Sequence, residues 1–88
     1  MQTKDITLTC PQGLHLRVAG AIVHVVQSHD AKVKMICDGC RWADGCSVLQ
    51  LLTLGARYGA SITVQTHGPD EAVVMAKLAE IFADGGGI

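Results

Sequence analysis

Apolar and polar residues alternate over "TKDITLT" (residues 3–9), with Ile6 and Leu8 on one side. This predicts a first strand that Pro11 and Gly13 end. The period then lengthens. From Leu16 to about His29, the residues Ala19, Ile22, Val23 and Val26 recur at helical spacing and form one apolar face. The β-branched content makes this a moderate helix former alone, so packing must hold it. Alternation returns in "AKVKMIC" (31–37), which turns Val33, Met35 and Cys37 inward and Lys32 and Lys34 outward. Asp38-Gly39 follows, a strong hairpin signal because a type I′ turn needs positive φ at both central positions. "CRWA" (40–43) is then the return strand, with Trp42 packed on the sheet.

"SVLQLL" (47–52) opens on Ser47 and carries Gln50 three residues on, the capping-box pattern of a short second helix that Gly55 closes. "ASITVQT" (60–66) predicts a fourth strand with Ile62 and Val64 inward. "PDEAVVMAKLAEIFA" (69–83) predicts a third helix with acidic residues at its start and Val74, Leu78, Ile81 and Phe82 as its apolar stripe. The order strand, helix, strand, strand, helix, strand, helix predicts an α+β fold. Its form is an open-faced β-sandwich, a four-stranded mostly antiparallel sheet with three helices on one face. One domain over residues 1–88 is expected, with no linker, repeat or low-complexity segment.

Composition narrows the function classes. The chain is 49% apolar with a net charge of −1 and no long basic run, which argues against nucleic-acid binding. "MQTKDITLT" lacks a hydrophobic signal core and no apolar stretch approaches a bilayer span. The expectation is a soluble cytoplasmic protein with no membrane insertion. In that compartment Cys10, Cys37, Cys40 and Cys46 should stay reduced. Cys37, Cys40 and Cys46, with Cys10 or a histidine, could supply four zinc ligands, and a metal or thiol-redox module is one alternative. The spacing lacks a second CxxC or a histidine pair, however, and Cys37 falls in the core pattern. No metal and no other cofactor is expected. His24, His29 and His67 read as ordinary surface residues.

The chemistry gathers at the start of the first helix. Amides there lack intrahelical partners and carry the positive end of the helix dipole, so they suit an anion. His15 stands at that point, behind a Pro-x-Gly turn, and a neutral ring nitrogen can accept a phosphoryl group and hand it on. Arg17 offers a forked, permanent cation for phosphate oxygens. On the bare pair, a turn histidine beside a solvated arginine is the reading the residues favour.

The stretch "GLHLRVAG" (13–20) resembles the "GLHARPA" signature of the HPr family, the histidine-containing phosphocarriers of the phosphoenolpyruvate:sugar phosphotransferase system. The resemblance spans nearly the whole chain: the element order, the Gly39 hairpin, "CSVLQLLTLGA" (46–56), and the "GPDE" (68–71) that leads into the last helix. It implies that His15 is the phosphoacceptor through Nδ1, charged by enzyme I and discharged to an enzyme IIA domain, and that Arg17 stabilises the transferred group. Such a protein is a stoichiometric carrier, a monomer, and not an enzyme with turnover of its own. Leu16, Gly20, His24, Val48, Leu49 and Leu52 fall at the positions that receive both partners.

Ser47 matches the serine that a dedicated HPr kinase/phosphorylase modifies in many members, although a capping role explains it without phosphate. A regulatory binding module of the same fold, controlled at Ser47, is therefore a second alternative. The chain also departs from the family. Val18 stands where proline is usual, so the preset φ at the helix start is missing. Leu16 replaces a small or hydroxylated residue. His24, Gln27, Cys46 and Gln50 occupy positions where lysine is frequent. Partner surfaces in the system tend to be acidic, so electrostatic steering should be weak.

Overall fold

Two interior strands with strict alternation require a cover on one side only, and the chain supplies it. The computed structural model describes residues 1–8, 13–37, 41–54 and 57–83. The elements are β1 (Gln2–Thr7), α1 (Leu16–Gln27), β2 (Lys32–Cys37), β3 (Arg41–Asp44), α2 (Val48–Thr53), β4 (Ser61–His67) and α3 (Glu71–Ala83). The sheet order is β1-β4-β2-β3, with each neighbouring pair antiparallel. The α+β open-faced sandwich is as expected, and the sheet is antiparallel throughout. Asp38-Gly39, Gly55, Cys10, Cys40 and the terminal "GGGI" lie outside the described residues.

The register sets the two faces. Val33, Met35 and Cys37 of β2 stand opposite Thr66, Val64 and Ile62 of β4, and all six are buried. Ala43 of β3 joins them opposite Met35. Val18, Ala19, Ile22, Val23 and Val26 of α1 and Val74, Met75, Leu78 and Phe82 of α3 close over this layer, with Leu51 of α2. Ile81 of the expected stripe is only half-buried, and Met75 takes a place in its stead. Among the described residues Thr66 is the one buried polar side chain in the core, and its hydroxyl donates to the Glu71 carbonyl at 3.1 Å. Leu8 is buried although β1 stops at Thr7. Its N–H donates to the Ala60 carbonyl and its carbonyl accepts from Gly59, each at 2.8 Å.

α1 ends two residues before the predicted His29, for a local reason. Ser28 turns its hydroxyl back to the His24 carbonyl at 2.7 Å, and its N–H also bonds there. His29 places Nδ1 2.8 Å from the Val25 carbonyl, where the next helical amide would donate. Its Nε2 lies 3.2 Å from Lys77 Nζ. His29 is thus not an ordinary surface residue, because it ties the end of α1 to α3. Trp42 stands in the return strand β3. It faces the water side of the sheet, 61% exposed, with the Lys34 ammonium 4.7 Å from its ring centroid.

Gly45, directly after β3, is held for space. A Cβ there would lie 2.7 Å from the Val33 Cβ, while its N–H donates to the Val33 carbonyl at 2.8 Å. Gly20, inside α1, has open space where its Cβ would be. The two glycines should respond oppositely to alanine. Gly45→Ala should lower stability by about 1–3 kcal/mol through overpacking. Gly20→Ala should raise it by roughly 0.5–1 kcal/mol by removing a helix-interior glycine. Urea unfolding of both variants measures the pair; equal signs would contradict this packing.

Candidate functional site

The start of α1 is built around one histidine. Gly13 adopts φ +74, a left-handed conformation that bends the chain, and its carbonyl accepts the His15 N–H at 3.1 Å. Leu14 is buried and pegs the bend to the core. His15 is the N-cap residue, in extended conformation at φ −98 and ψ 179, and its carbonyl accepts the first helical bond from Ala19 at 2.9 Å. Its side chain does what Ser or Asp does at most N-caps: Nδ1 accepts the Arg17 backbone N–H at 3.3 Å.

That bond defines the chemistry. A ring nitrogen that accepts must carry a lone pair, so geometry assigns the ring proton to Nε2. The Nδ1 lone pair therefore points into the positive end of the helix. No acidic residue stands in the first turn to offset that end. Arg17 is exposed, and among the described residues no carboxylate pairs with its guanidinium. A group bonded to Nδ1 would meet the backbone N–H donors of the first turn.

α2 packs beside α1. Leu51 points into the core, while Leu49 is 72% and Leu16 66% exposed. Gly20, Val48 and Leu52 are half-buried and His24 is exposed. All six residues expected at the partner surface thus lie on these two helices with solvent access. Arg17 is the only Asp, Glu, Lys or Arg in either helix.

The Ser47 cap is present, with Oγ accepting the Gln50 N–H at 3.2 Å. The reciprocal half of the predicted capping box is not. Gln50 Oε1 accepts the Asp44 N–H at 2.9 Å instead, because the Ser47 N–H is already taken by the Asp44 carbonyl at 3.1 Å. The Asp44 carboxylate accepts the Cys46 N–H at 2.8 Å. Gln50 and Asp44 thus lock the junction of β3 and α2, a role the sequence reading missed. The Asp-Gly-x-Ser pattern of residues 44–47 was the available signal, since Asp readily caps the amide two residues on.

Cys37 is buried in the core as the alternation predicts, and Cys46 is an exposed free thiol. Partial burial, then the Asp44 carboxylate, push the Cys46 thiol above its ordinary range. Among the described residues no three His, Cys, Asp or Glu side chains converge to hold a metal ion.

Fold and site together define a class: small open-faced sandwiches that present a histidine at the N-terminus of their first helix. The family model described as "PTS HPr component phosphorylation site" matches residues 2–84. The phosphocarrier protein HPr of Chlamydia muridarum is 40% identical over 77 residues, covering 88% of this chain and 73% of that protein. HPr of Buchnera aphidicola is 35% identical over 82 residues, covering 93% and 95%. The crystal structure of an HPr from Thermoanaerobacter tengcongensis shares the fold with a TM-score of 0.91 at 20% identity. It covers 100% of this chain and 98% of that one. The chain belongs to the HPr family, the phosphocarriers of the phosphotransferase system.

The α2 cap can be tested apart from any phosphoryl chemistry. Ser47→Ala should cost about 1 kcal/mol for the lost cap. Gln50→Ala should cost about 0.5–1.5 kcal/mol for the lost bond to Asp44. Ser47→Asp should stay near wild type. Urea midpoints of the three variants measure this, and a Gln50→Ala midpoint at the wild-type value would mean the junction holds without its amide.

Proposed function

We propose that His15 receives the phosphoryl group from phosphorylated enzyme I and passes it to an enzyme IIA domain. The observation that carries this reading is the bond from the Arg17 N–H to Nδ1. It holds the nucleophilic lone pair at a helix terminus suited to a phosphate. In the first step the Arg17 N–H lets go of Nδ1, the freed lone pair attacks phosphorus, the P–N bond to enzyme I breaks, and the phosphoryl group stays on Nδ1 with that N–H available to its oxygens. The ring keeps its Nε2 proton, so no base is needed. In the second step the nucleophile of enzyme IIA attacks the same phosphorus and His15 leaves with its lone pair restored.

Arg17 steadies the phosphoryl oxygens through its guanidinium. Leu16, Gly20, His24, Val48, Leu49 and Leu52 receive both partners in turn. The protein is a stoichiometric carrier that works as a cytoplasmic monomer, one domain over residues 1–88. Modification of Ser47 by a kinase/phosphorylase would place a dianion where the hydroxyl now caps α2, within the helix pair that receives partners, and would oppose acidic surfaces.

The test is incubation with enzyme I and labelled phosphoenolpyruvate. Label should appear on His15, labile to acid and stable to base as a phosphoramidate is, and a His15→Ala chain should take up none. Full labelling of that variant would refute the relay. Arg17→Lys keeps the charge but loses the fork, so transfer should slow on the order of tenfold, about 1.4 kcal/mol of barrier. Unimpaired transfer in Arg17→Gly would show that the helix amides suffice.

With Arg17 as the single fixed charge of α1 and α2, association with an acidic partner should vary only shallowly with salt. Converting His24 and Gln27 to Lys should raise the low-salt on-rate and steepen its decline with ionic strength. Stopped-flow association across a salt series measures both; an unchanged on-rate would mean apolar contact at Leu16 and Leu49 governs docking.

A further inference from the structure

The helices cover one side of the sheet and leave the other to water, and the uncovered side is not bland. Alternation along β2 sends Lys32, Lys34 and Ile36 outward. The register sets His67 opposite Lys32, Gln65 and Asp44 opposite Lys34, and Trp42 opposite Ile36. A groove of about 420 Å³ on this face has Met1, Lys32, Lys34, Trp42, Gln65 and His67 in its lining. Its size falls within the range of small-molecule sites, and its lining joins apolar surface to a few convergent polar groups.

Charge and shape narrow the ligand. The Lys34 ammonium rests over the Trp42 ring, and among the described residues neither Lys32 nor Lys34 has an ion pair. The one carboxylate in the lining, Asp44, accepts the Cys46 N–H through one oxygen and keeps its charge opposite Lys34, so a phosphate seats toward Lys32 and His67. The Met1 amine is engaged by Glu71 at 2.9 Å. What the groove offers is an exposed indole with the Lys34 ammonium over it, and Lys32 and His67 further along, a pattern that fits a flat ring carrying an anionic group. In the backbone Trp42 stands four residues of β2 from the level of Lys32 and His67, about 13 Å at strand rise, and its ring reaches back to the Lys34 ammonium. A nucleoside with a short phosphate chain spans that distance, whereas a bare anion or a bare base uses one end.

We propose that the outer sheet face binds a nucleoside polyphosphate, its base stacked on Trp42 and its phosphates held by Lys32, Lys34 and the His67 ring. Lys34 would leave the indole face for the phosphates as the base takes its place. The site uses none of the residues assigned to phosphoryl relay, so it stands or falls independently of that reading.

Trp42 is the only tryptophan of the chain, so its fluorescence reports on the groove directly. The probe is ADP, with adenosine and pyrophosphate as its two halves, followed by indole fluorescence and by amide shifts in heteronuclear spectra. ADP should quench Trp42 saturably with a submillimolar midpoint, and each half should bind at least tenfold more weakly. Amide shifts should centre on β2, β3 and β4. Lys32→Ala combined with Lys34→Ala should weaken ADP at least tenfold with an unchanged thermal melt; Lys32→Gln alone serves if the double variant folds poorly. His15→Ala should bind ADP as the wild type does. Three results would overturn the proposal: no saturable quench into the millimolar range, pyrophosphate or adenosine binding as tightly as ADP, or lysine variants that bind undiminished.

Discussion

The apolar side of β2 and β4 must be kept from water, and the rest of the structure follows from that. Six residues on these two strands form a flat layer that only a helix pair wide enough to span both can seal. α1 and α3 do so side by side, in contact with each other along the seam. Burial of this kind is worth roughly 1.5–3 kcal/mol per large side chain, which dominates any single polar contact in the molecule. It also fixes where α1 begins. The helix start cannot slide without moving Val18 and Ala19 out of the core, so His15 is held at its terminus by packing behind it.

The same logic separates what could be read in the sequence from what could not. The elements were legible because period changes along the chain match burial. The alternation of "KVKMIC" survives, with Val33, Met35 and Cys37 buried, the two lysines exposed and Ile36 half-buried, and the face of α1 contains Ala19, Ile22, Val23 and Val26 as read. Binary pattern reports which side faces in, and nothing more. It was silent on Ser28 and His29, whose side chains stop α1 by bonding back to its last carbonyls. It did not say which side of the sheet Trp42 takes, and the residue occupies the uncovered face beside Lys34.

At the candidate site, His15 and Arg17 were legible as a pair, yet their relation was not. A motif gives spacing, whereas the Nδ1 bond depends on the extended conformation of His15 and the bend at Gly13. The capping box at Ser47 shows the complementary case. The residue types were right, and one of the two bonds formed, but tertiary structure had already satisfied the amide that Gln50 was expected to reach. Local rules name donors and acceptors; competition among them is settled by the fold.

The turn from β3 into α2 carries a consequence for how such a chain can change over generations. Asp44 is committed by its carboxylate and both backbone groups, Gly45 by the closeness of Val33, and Ser47 by its hydroxyl. The Cys46 side chain, exposed between them, is required by none of these contacts. Three of four positions therefore resist drift for reasons of structure, while the fourth is free to sample charge, size and polarity at little cost to folding. Variation in this turn should be channelled to a single side chain beside α2, a place where a lineage can retune its choice of partner without rebuilding its scaffold.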